Sequence, residues 1–270
     1  MPVLSLDLAS TSHSVHITWT SSSTPTSFQL WRNRNSAGYA LFQTVTGATL
    51  TYTDTSNLTF GGFNSYKVSA DGGVTFSNEI SISNNFSWPG TGAIVSYPTL
   101  IMDVGILTFD GDGVTPMMTS LNLPLLVKAV KGLQVEENPS LTSINIPSFS
   151  YSGDSLYFAG NPILPNLDLS ALTTALTDIR TFVMFGGDVA LKHITFNSSL
   201  RLSHGYTFDF SGCALDAATV ALILRIAAES SFQSGDTLKL SGGTNSPPVG
   251  AQAIGDKAAI TIAGCAVTTN

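Results

Sequence analysis

Three stretches of the chain repeat at one fixed offset, and that repeat limits what its second half can fold into. Thr119-Ser-Leu121-Asn-Leu123-Pro-Leu-Leu126 returns as Thr142-Ser-Ile144-Asn-Ile146-Pro-Ser-Phe149, then as Pro165-Asn-Leu167-Asp-Leu169-Ser-Ala-Leu172, each 23 residues on. The flanks keep the same register: Leu133-x-Val135-x-x-Asn138-Pro139 and Leu156-x-Phe158-x-x-Asn161-Pro162. One such unit cannot bury its apolar face alone, so the units must stack into a solenoid with a shared core. Each apolar-x-apolar pair reads as a short strand with both apolar side chains inside. Leu121, Leu123, Ile144, Ile146, Leu167 and Leu169 are therefore expected in one buried ladder. The asparagine at the turn would satisfy backbone groups along the stack. The register slips near residues 180–200, where Ile194-x-Phe196 returns after 27 residues.

The L-x-L-x-x-N pattern resembles degenerate leucine-rich repeats over about residues 98–242. A β-helix is the competing solenoid. Phe208-Asp-Phe210-Ser-Gly-Cys213-Ala-Leu215 fits the same pattern. Asp216 can cap a helix whose Val220, Ile223, Leu224 and Ala227 form an i, i+3, i+4, i+7 stripe. Leu238-Lys-Leu240-Ser-Gly-Gly243 repeats the strand. A last helix over about Ala251–Ala263 should stop at Gly264, with Ala266-Val267-Thr268 as a final strand. This α/β ending, about residues 206–270, is expected to cap the open edge of the solenoid.

Residues 3–84 follow another rule. Val15, Ile17 and Trp19 alternate with His16 and Thr18, and Phe28 and Leu30 alternate with Gln29 and Trp31. Gly38, Gly47, Gly61-Gly62 and Gly72-Gly73 punctuate the runs. About seven strands in this length predict a β-sandwich. Ile17-x-Trp19, Phe28-Gln29-Leu30-Trp31-Arg32, Tyr52-Thr53-Asp54-Thr55 and Tyr66-x-Val68-x-Ala70 resemble a fibronectin type III (Ig-like) domain. One position departs from that family: Asn64 stands two residues before Tyr66, where the family has an aromatic. The expected organisation is thus mainly β: a sandwich over 1–84, a linker over 85–97 broken by Asn84-Asn85, Pro89-Gly90 and Gly92, and a solenoid over 98–270.

Charged residues make up 11% of the chain and hydrophobic ones 43%, with a mean hydropathy of +0.24. Disorder needs the opposite balance. A net charge of −7 argues against a nucleic-acid partner and against an anionic membrane surface. Residues 1–90 sum to −1 (three cations, four anions), leaving −6 for 91–270. No apolar run is long enough to span a bilayer. The first residues, MPVLSLDLASTSHSVHITW, lack a basic region and an apolar core, so the expectation is a protein made in a host cytoplasm without a signal peptide. Cys213 and Cys265 are too few for a disulfide framework and have no Cys-x-x-Cys spacing for zinc; they read as buried apolar residues.

Catalytic motifs are sparse. No G-x-S-x-G, H-E-x-x-H or phosphate loop occurs. His16 should face solvent. Ser203, His204 and Asp209, with His193 nearby, are a remote triad candidate. Phe109-Asp110-Gly111-Asp112-Gly113 opens like a calcium loop, but Leu121 stands where a bidentate Glu belongs. Glu136-Glu137 reads as a solvated turn. Asn57, Asn85 and Asn197 head glycosylation sequons that mean little without a secretory signal. Tyr151 and Tyr157, beside Asp154, are the candidate binding face for a sugar. Trp31, Tyr39 and Phe42 are candidate docking residues, because interface cores are poor in charge and rich in aromatics. No cofactor or metal is expected.

The closing segment, LSGGTNSPPVG to DKAAITIAGCAVTTN, resembles that of bacteriophage and phage-like repeat proteins. The resemblance implies a non-enzymatic structural protein of a virion, a capsid decoration or tail/fibre component. Its implied partners are other capsid or tail proteins, a host surface glycan or protein, and a homo-oligomer. A bacterial cell-surface adhesin and a glycan-active enzyme are the alternatives.

Overall fold

The computed structural model describes every residue except 8–9, 12, 57, 89–92, 112–116, 176–181, 203–206 and 231, and gives backbone alone at 174–175 and 182–184. The chain divides into two units, Met1–Phe86 with Thr99–Gly105, and Ser87–Pro98 with Ile106–Asn270.

The first unit holds β1 (Val3–Leu6), β2 (Val15–Thr20), β3 (Ser27–Arg34), β4 (Tyr39–Thr46), β5 (Thr51–Asp54), β6 (Gly62–Ser69) and β7 (Ile80–Asn84). The order β1-β2-β5 forms one antiparallel sheet, and β4-β3-β6-β7 the second. Alternation puts Val15, Ile17, Trp19, Phe28, Leu30, Tyr66 and Val68 inside, each at most 2% exposed. Trp19 meets Phe28 edge-on at 5.5 Å. Asn64 and Tyr66 share the inner face of β6. The Asn64 amide donates to the Tyr66 hydroxyl at 3.3 Å, which donates to Asp54 at 3.0 Å. The position where an aromatic was expected is thus part of a buried polar network.

After β8 (Ile94–Ser96), which belongs to the second unit, β9 (Leu100–Asp103) pairs in parallel with β7. The sequence reading placed residue 98 onward in the solenoid. Asp103 accounts for the difference. It is 0% exposed and accepts from the Ser83 hydroxyl at 2.5 Å and from the amides of Gly105 at 2.6 Å, Phe86 at 3.1 Å and Asn85 at 3.2 Å. Four donors on one buried carboxylate hold this segment to the first unit.

In the second unit, β10 (Ile106–Asp110) precedes three coils of three short strands each. The first coil is β11 (Ser120–Asn122), β12 (Lys128–Ala129) and β13 (Gly132–Glu136). The second is β14 (Ser143–Asn145), β15 (Tyr151–Ser152) and β16 (Leu156–Tyr157). The third is β17 (Asn166–Leu169), β18 (Thr174–Ala175) and β19 (Phe182–Met184). Then come β20 (His193–Phe196), β21 (Thr207–Asp209), α1 (Ala217–Glu229), β22 (Thr237–Leu240), α2 (Gly250–Ile262) and β23 (Ala266–Thr269). Among the described residues, every strand pair in this unit is parallel. The longest sheet runs β10-β13-β16-β19-β21-β22-β23; shorter ladders are β8-β11-β14, β12-β15-β18 and β17-β20.

The repeat sets the register, Leu121 opposite Ile144 and Leu133 opposite Leu156. Of the six expected ladder residues, Leu121, Leu123, Ile146, Leu167 and Leu169 are at most 3% exposed. Ile144 is the exception and is half-buried. Phe158, Phe185 and Phe210 stack face to face through three successive turns, 5.3 and 5.0 Å apart and within 10° of parallel. The Asp216 side chain accepts from the Thr219 amide at 2.8 Å, capping α1, and Val220, Ile223, Leu224 and Ala227 are buried. α2 ends before Gly264, whose φ of +96° suits glycine.

Candidate functional site

The seven-stranded parallel sheet turns one face to the core and one outward. Leu107, Leu133, Leu156, Phe208 and Leu238 fill the inner row, at most 2% exposed. Period-2 alternation puts Thr108, Gln134, Tyr157, Asp209, Lys239 and Thr268 in the outer row. Register confirms the alignment: Thr108 pairs with Gln134, Gln134 with Tyr157, Asp209 with Lys239 and Lys239 with Thr268.

Tyr157 is the aromatic of this row and is half-buried. Burial pushes its hydroxyl above the ordinary range, and Glu136, Glu137 and Asp188 push the same way. Glu136 is also shifted up, by burial and then by Asp110 and Glu137. Glu137 has a φ of +54°. Gly160 has a φ of +79°, and a Cβ there would lie 3.0 Å from the Glu137 backbone nitrogen, so glycine is needed where the two coils meet. Further along, the Lys239 ammonium meets Asp209 at 2.9 Å, and the Ser211 hydroxyl donates to the same carboxylate at 2.5 Å. The outer row thus carries one aromatic ring with Glu136 beside it, and the Asp209–Lys239 ion pair further along the sheet.

A ladder of polar side chains runs beneath the turns that edge this face. The Asn138 amide donates to Phe109 O at 3.1 Å and Glu136 O at 2.6 Å, and to Asn161 Oδ1 at 3.3 Å. The Asn161 amide donates to Val135 O at 2.9 Å and Ala159 O at 3.4 Å. The next rung is Asp188, whose Oδ1 accepts from the Asn161 amide N–H at 2.6 Å. Its Oδ2 is buried without a partner. Burial pushes the Asp188 carboxyl up to about 7, helped by Glu137, against hydrogen bonds from Asn161 and Gly160 that hold it down. Cys213 is the following rung; its thiol donates to Phe185 O at 2.8 Å. Burial pushes this thiol up to about 12, and that of Cys265 up to about 11, so neither supplies a thiolate near neutral pH.

The three predicted sugar-face residues are split by a corner. Tyr151 lies on the β12-β15-β18 ladder with the Lys128 ammonium 4.7 Å from its ring centre. Asp154 sits at the turn, 3.6 Å from Lys131. Tyr157 lies on the long sheet. Both lysines stand 23 residues before their partners, so the repeat itself stacks each cation on its neighbour.

The predicted docking residues also divide. Trp31 and Tyr39 share the outer face of β3 and β4. Trp31 packs edge-on against Phe76 at 5.6 Å, and the Lys67 ammonium lies 4.4 Å from the Tyr39 ring centre while pairing with Glu79 at 3.1 Å. Phe42 points the other way. It meets Tyr52 and Tyr66 at 5.7 and 6.1 Å and carries the Arg32 guanidinium at 4.8 Å, which pairs with Asp54.

His193 pairs with Asp216 at 2.9 Å, and the ring of His16 lies 2.9 Å from the Thr53 hydroxyl. Ser203 and His204 of the triad candidate, Asp112 and Gly113 of the calcium-like loop, Pro89, Gly90 and Gly92 of the linker, and Asn57 lie outside the described residues. Among the described residues, no group of three or more His, Cys, Asp or Glu side chains could hold a metal ion. An apolar cavity of about 20 Å³, bordered by Phe196, Phe208, Phe210, Ile223 and Phe232, is no larger than one water and offers it no polar partner. It is a packing gap.

The sequence reading missed Asp188, took Glu137 for part of a solvated turn, and set Asp209 in a triad candidate where the structure pairs it with Lys239. Asp188 had a legible signal: Val183-x-Phe185-x-x-Asp188-x-x-Leu191 repeats the spacing of Leu156-x-Phe158-x-x-Asn161-x-x-Leu164.

No protein-family model matches the chain, and neither does any curated protein. Among solved structures, pectate lyase PelI from Erwinia chrysanthemi aligns at 10% identity over 92% of this chain and 88% of that one, with a TM-score of 0.26. The same lyase in complex with tetragalacturonic acid aligns at 11% identity and a TM-score of 0.26. Pectate lyase Pel3 from Pectobacterium carotovorum aligns at 12% and 0.25 over the same shares. At these scores the likeness carries neither fold nor function.

Proposed function

We propose that this protein is a non-enzymatic structural and interaction component of a bacteriophage virion, a capsid decoration or a tail or fibre part. Its sandwich is fibronectin type III-like, and its coils are leucine-rich-repeat-like. The virion assignment rests on the resemblance of the closing segment. The binding role rests on one observation: the outward face of the long sheet carries Tyr157 with Glu136 and Glu137 close enough to raise its hydroxyl, and the Asp209–Lys239 pair on the same row. A ring beside hydrogen-bonding acceptors suits a polyhydroxylated ligand, which stacks C–H groups on the ring and donates hydroxyls to the acids. The ligand class is therefore a host surface glycan.

Titration of the purified chain with host surface polysaccharide tests the binding role. Tyr157→Ala should lose about tenfold in affinity, the equivalent of about 1.4 kcal/mol, while Tyr151→Ala, round the corner, should not. Equal losses would remove the face from consideration. Mass spectrometry of purified particles tests the virion role separately. A chain found on the bacterial surface and absent from particles would favour the adhesin.

A further inference from the structure

The outer row of the long sheet holds a hydrogen-bond donor that the acids beside Tyr157 do not supply. Gln134 stands on β13, between Thr108 of β10 and Tyr157 of β16, and pairs directly with both. The Thr108 hydroxyl donates to Gln134 Oε1 at 3.4 Å. A side-chain amide is planar, with its oxygen and nitrogen on opposite arms. Holding Oε1 toward β10 therefore turns Nε2 toward β16 and the Tyr157 ring. Among the described residues, Nε2 meets no acceptor, so its N–H groups are open to a ligand.

Tyr157 is open in the same sense. Of the described tyrosines, Tyr39 and Tyr151 carry a lysine ammonium, and Tyr52, Tyr66 and Tyr97 each meet another ring. Tyr157 has neither. Glu136 completes the set. It lies two residues beyond Gln134 on the same face, about 6.6 Å along the strand. Its side chain has the same length, so the two end groups stand level. Asp110 pairs with it on the β10 side, and that like charge favours a lean toward β16, the side to which Nε2 points.

We propose that the glycan taken by this face is an N-acetylated amino sugar, recognised through its acetamido group, and that Gln134 sets the preference. This preference rests on the face being a glycan site. The acetamido N–H donates to the Glu136 carboxylate, and its C=O accepts from Gln134 Nε2. The methyl sits at the carbonyl end, so it falls on Tyr157, the residue paired with Gln134. Spacing favours an amide over a hydroxyl. Two hydrogen bonds of about 2.9 Å on the opposed N–H and C=O of one trans amide span about 7–8 Å. Both bonds on one hydroxyl oxygen need partners about 4.6 Å apart. The row's spacing of about 6.6 Å is closer to the amide. Charge narrows the class further. A uronic acid is repelled by Glu136 and Glu137, and a free amine leaves Nε2 without an acceptor. Thr108 is a positioning residue that holds the Gln134 amide the right way round.

Calorimetric titration of the full chain with two tetrasaccharides tests this. A β1,4-linked N-acetylglucosamine tetramer and a β1,4-linked glucose tetramer differ only in acetamido against hydroxyl at C2. The acetylated tetramer should bind about tenfold tighter, the worth of one well-placed hydrogen bond. Gln134→Glu keeps the length and the bond from Thr108 but replaces the donor with an acceptor. It should bring that ratio to about one through weaker binding of the acetylated tetramer. Gln134→Met, which adds no charge, should do the same. Thr108→Val should lower the ratio about threefold. Equal affinities for the two tetramers, no binding of the acetylated one at about 10 mM, or an unchanged ratio in both Gln134 variants would each overturn the proposal. Host polysaccharide binding that depends on Tyr157, together with equal tetramer affinities, would remove the acetamido preference and leave the glycan site standing.

Discussion

Replacing Asp188 by Asn should stabilise the protein at neutral pH and flatten its dependence on pH. Asp188 is 0% exposed, and one of its oxygens has no partner. Its carboxyl is raised from 3.8 to about 7. Between those values the unfolded chain has lost this proton while the native chain retains it. The native state then binds more protons, so stability must fall as pH rises from about 4 through about 7. A rise of about three units at about 1.4 kcal/mol each sets an upper limit near 4 kcal/mol. An asparagine removes that titration and continues the run of Asn138 and Asn161. Phe158 O and Gly186 O are the rung equivalents of the carbonyls that accept from Asn161. Glu136 and Asp103 are also raised, by burial first in each case, so the unmodified curve has several contributors. The difference between the two curves isolates residue 188. Urea unfolding at intervals from pH 4 to 8 should show the two proteins nearly equal at pH 4 and separating toward pH 8, with the Asp188→Asn variant the more stable. Parallel curves would refute the buried-carboxyl argument.

The remaining predictions concern the core and the helix start. Phe185→Ala should cost about 3–5 kcal/mol, at the upper end because both ring faces are stacked, read as a lowered urea midpoint. In double-mutant cycles with leucine, Phe158 and Phe185 should couple by about 0.5–1.5 kcal/mol, whereas Phe158 and Phe210, separated by Phe185, should be additive within about 0.5 kcal/mol. Asp216→Ala should cost about 1 kcal/mol through the lost cap on Thr219, with Asp216→Ser recovering most of it in the same melts.

Legibility followed the range of the interactions. The Leu121, Leu123, Leu167 and Leu169 ladder could be read because stacking repeats one local pattern at one period. α1 could be read from Asp216 and its stripe, both local. The two-residue strands at Lys128–Ala129 and Tyr151–Ser152 are too short to leave a period-2 trace. Tyr151 and Tyr157 looked like neighbours because the corner between them has no sequence mark. β9 joins the first unit through Asp103 and through the Ser81 and Thr99 hydroxyls, 2.8 Å apart, contacts that no local pattern announces. Asp188 escaped because its coil is longer than its neighbours, and an acid stands where the ladder elsewhere has an amide.

Stacking also sets a physical cost on charge within the solenoid. In a solenoid, equivalent positions of successive coils lie about 4.8 Å apart. Two like charges at that separation repel by between about 1 kcal/mol in water and about 3 kcal/mol at an effective dielectric near 20. A charged position repeated through the coils would add this cost at every step. Amides and hydroxyls carry no such cost and bond to their copies: Asn145 donates to Asn122 Oδ1 at 2.6 Å, and the Thr142 hydroxyl to Thr119 O at 3.0 Å. In three places a charge has an opposite or aromatic partner one coil away: Lys128 with Tyr151, Lys131 with Asp154 and Lys239 with Asp209. Asp110 and Glu136 are like charges on paired positions, and the Glu136 carboxyl shifts upward there. Stacking thus sets a cost on repeated charge within the solenoid, although residues 1–90, which do not stack, carry only seven charged residues themselves. The acids gathered beside Tyr157 are the exception, like charges on neighbouring coils that repel where most of the solenoid places amides and hydroxyls.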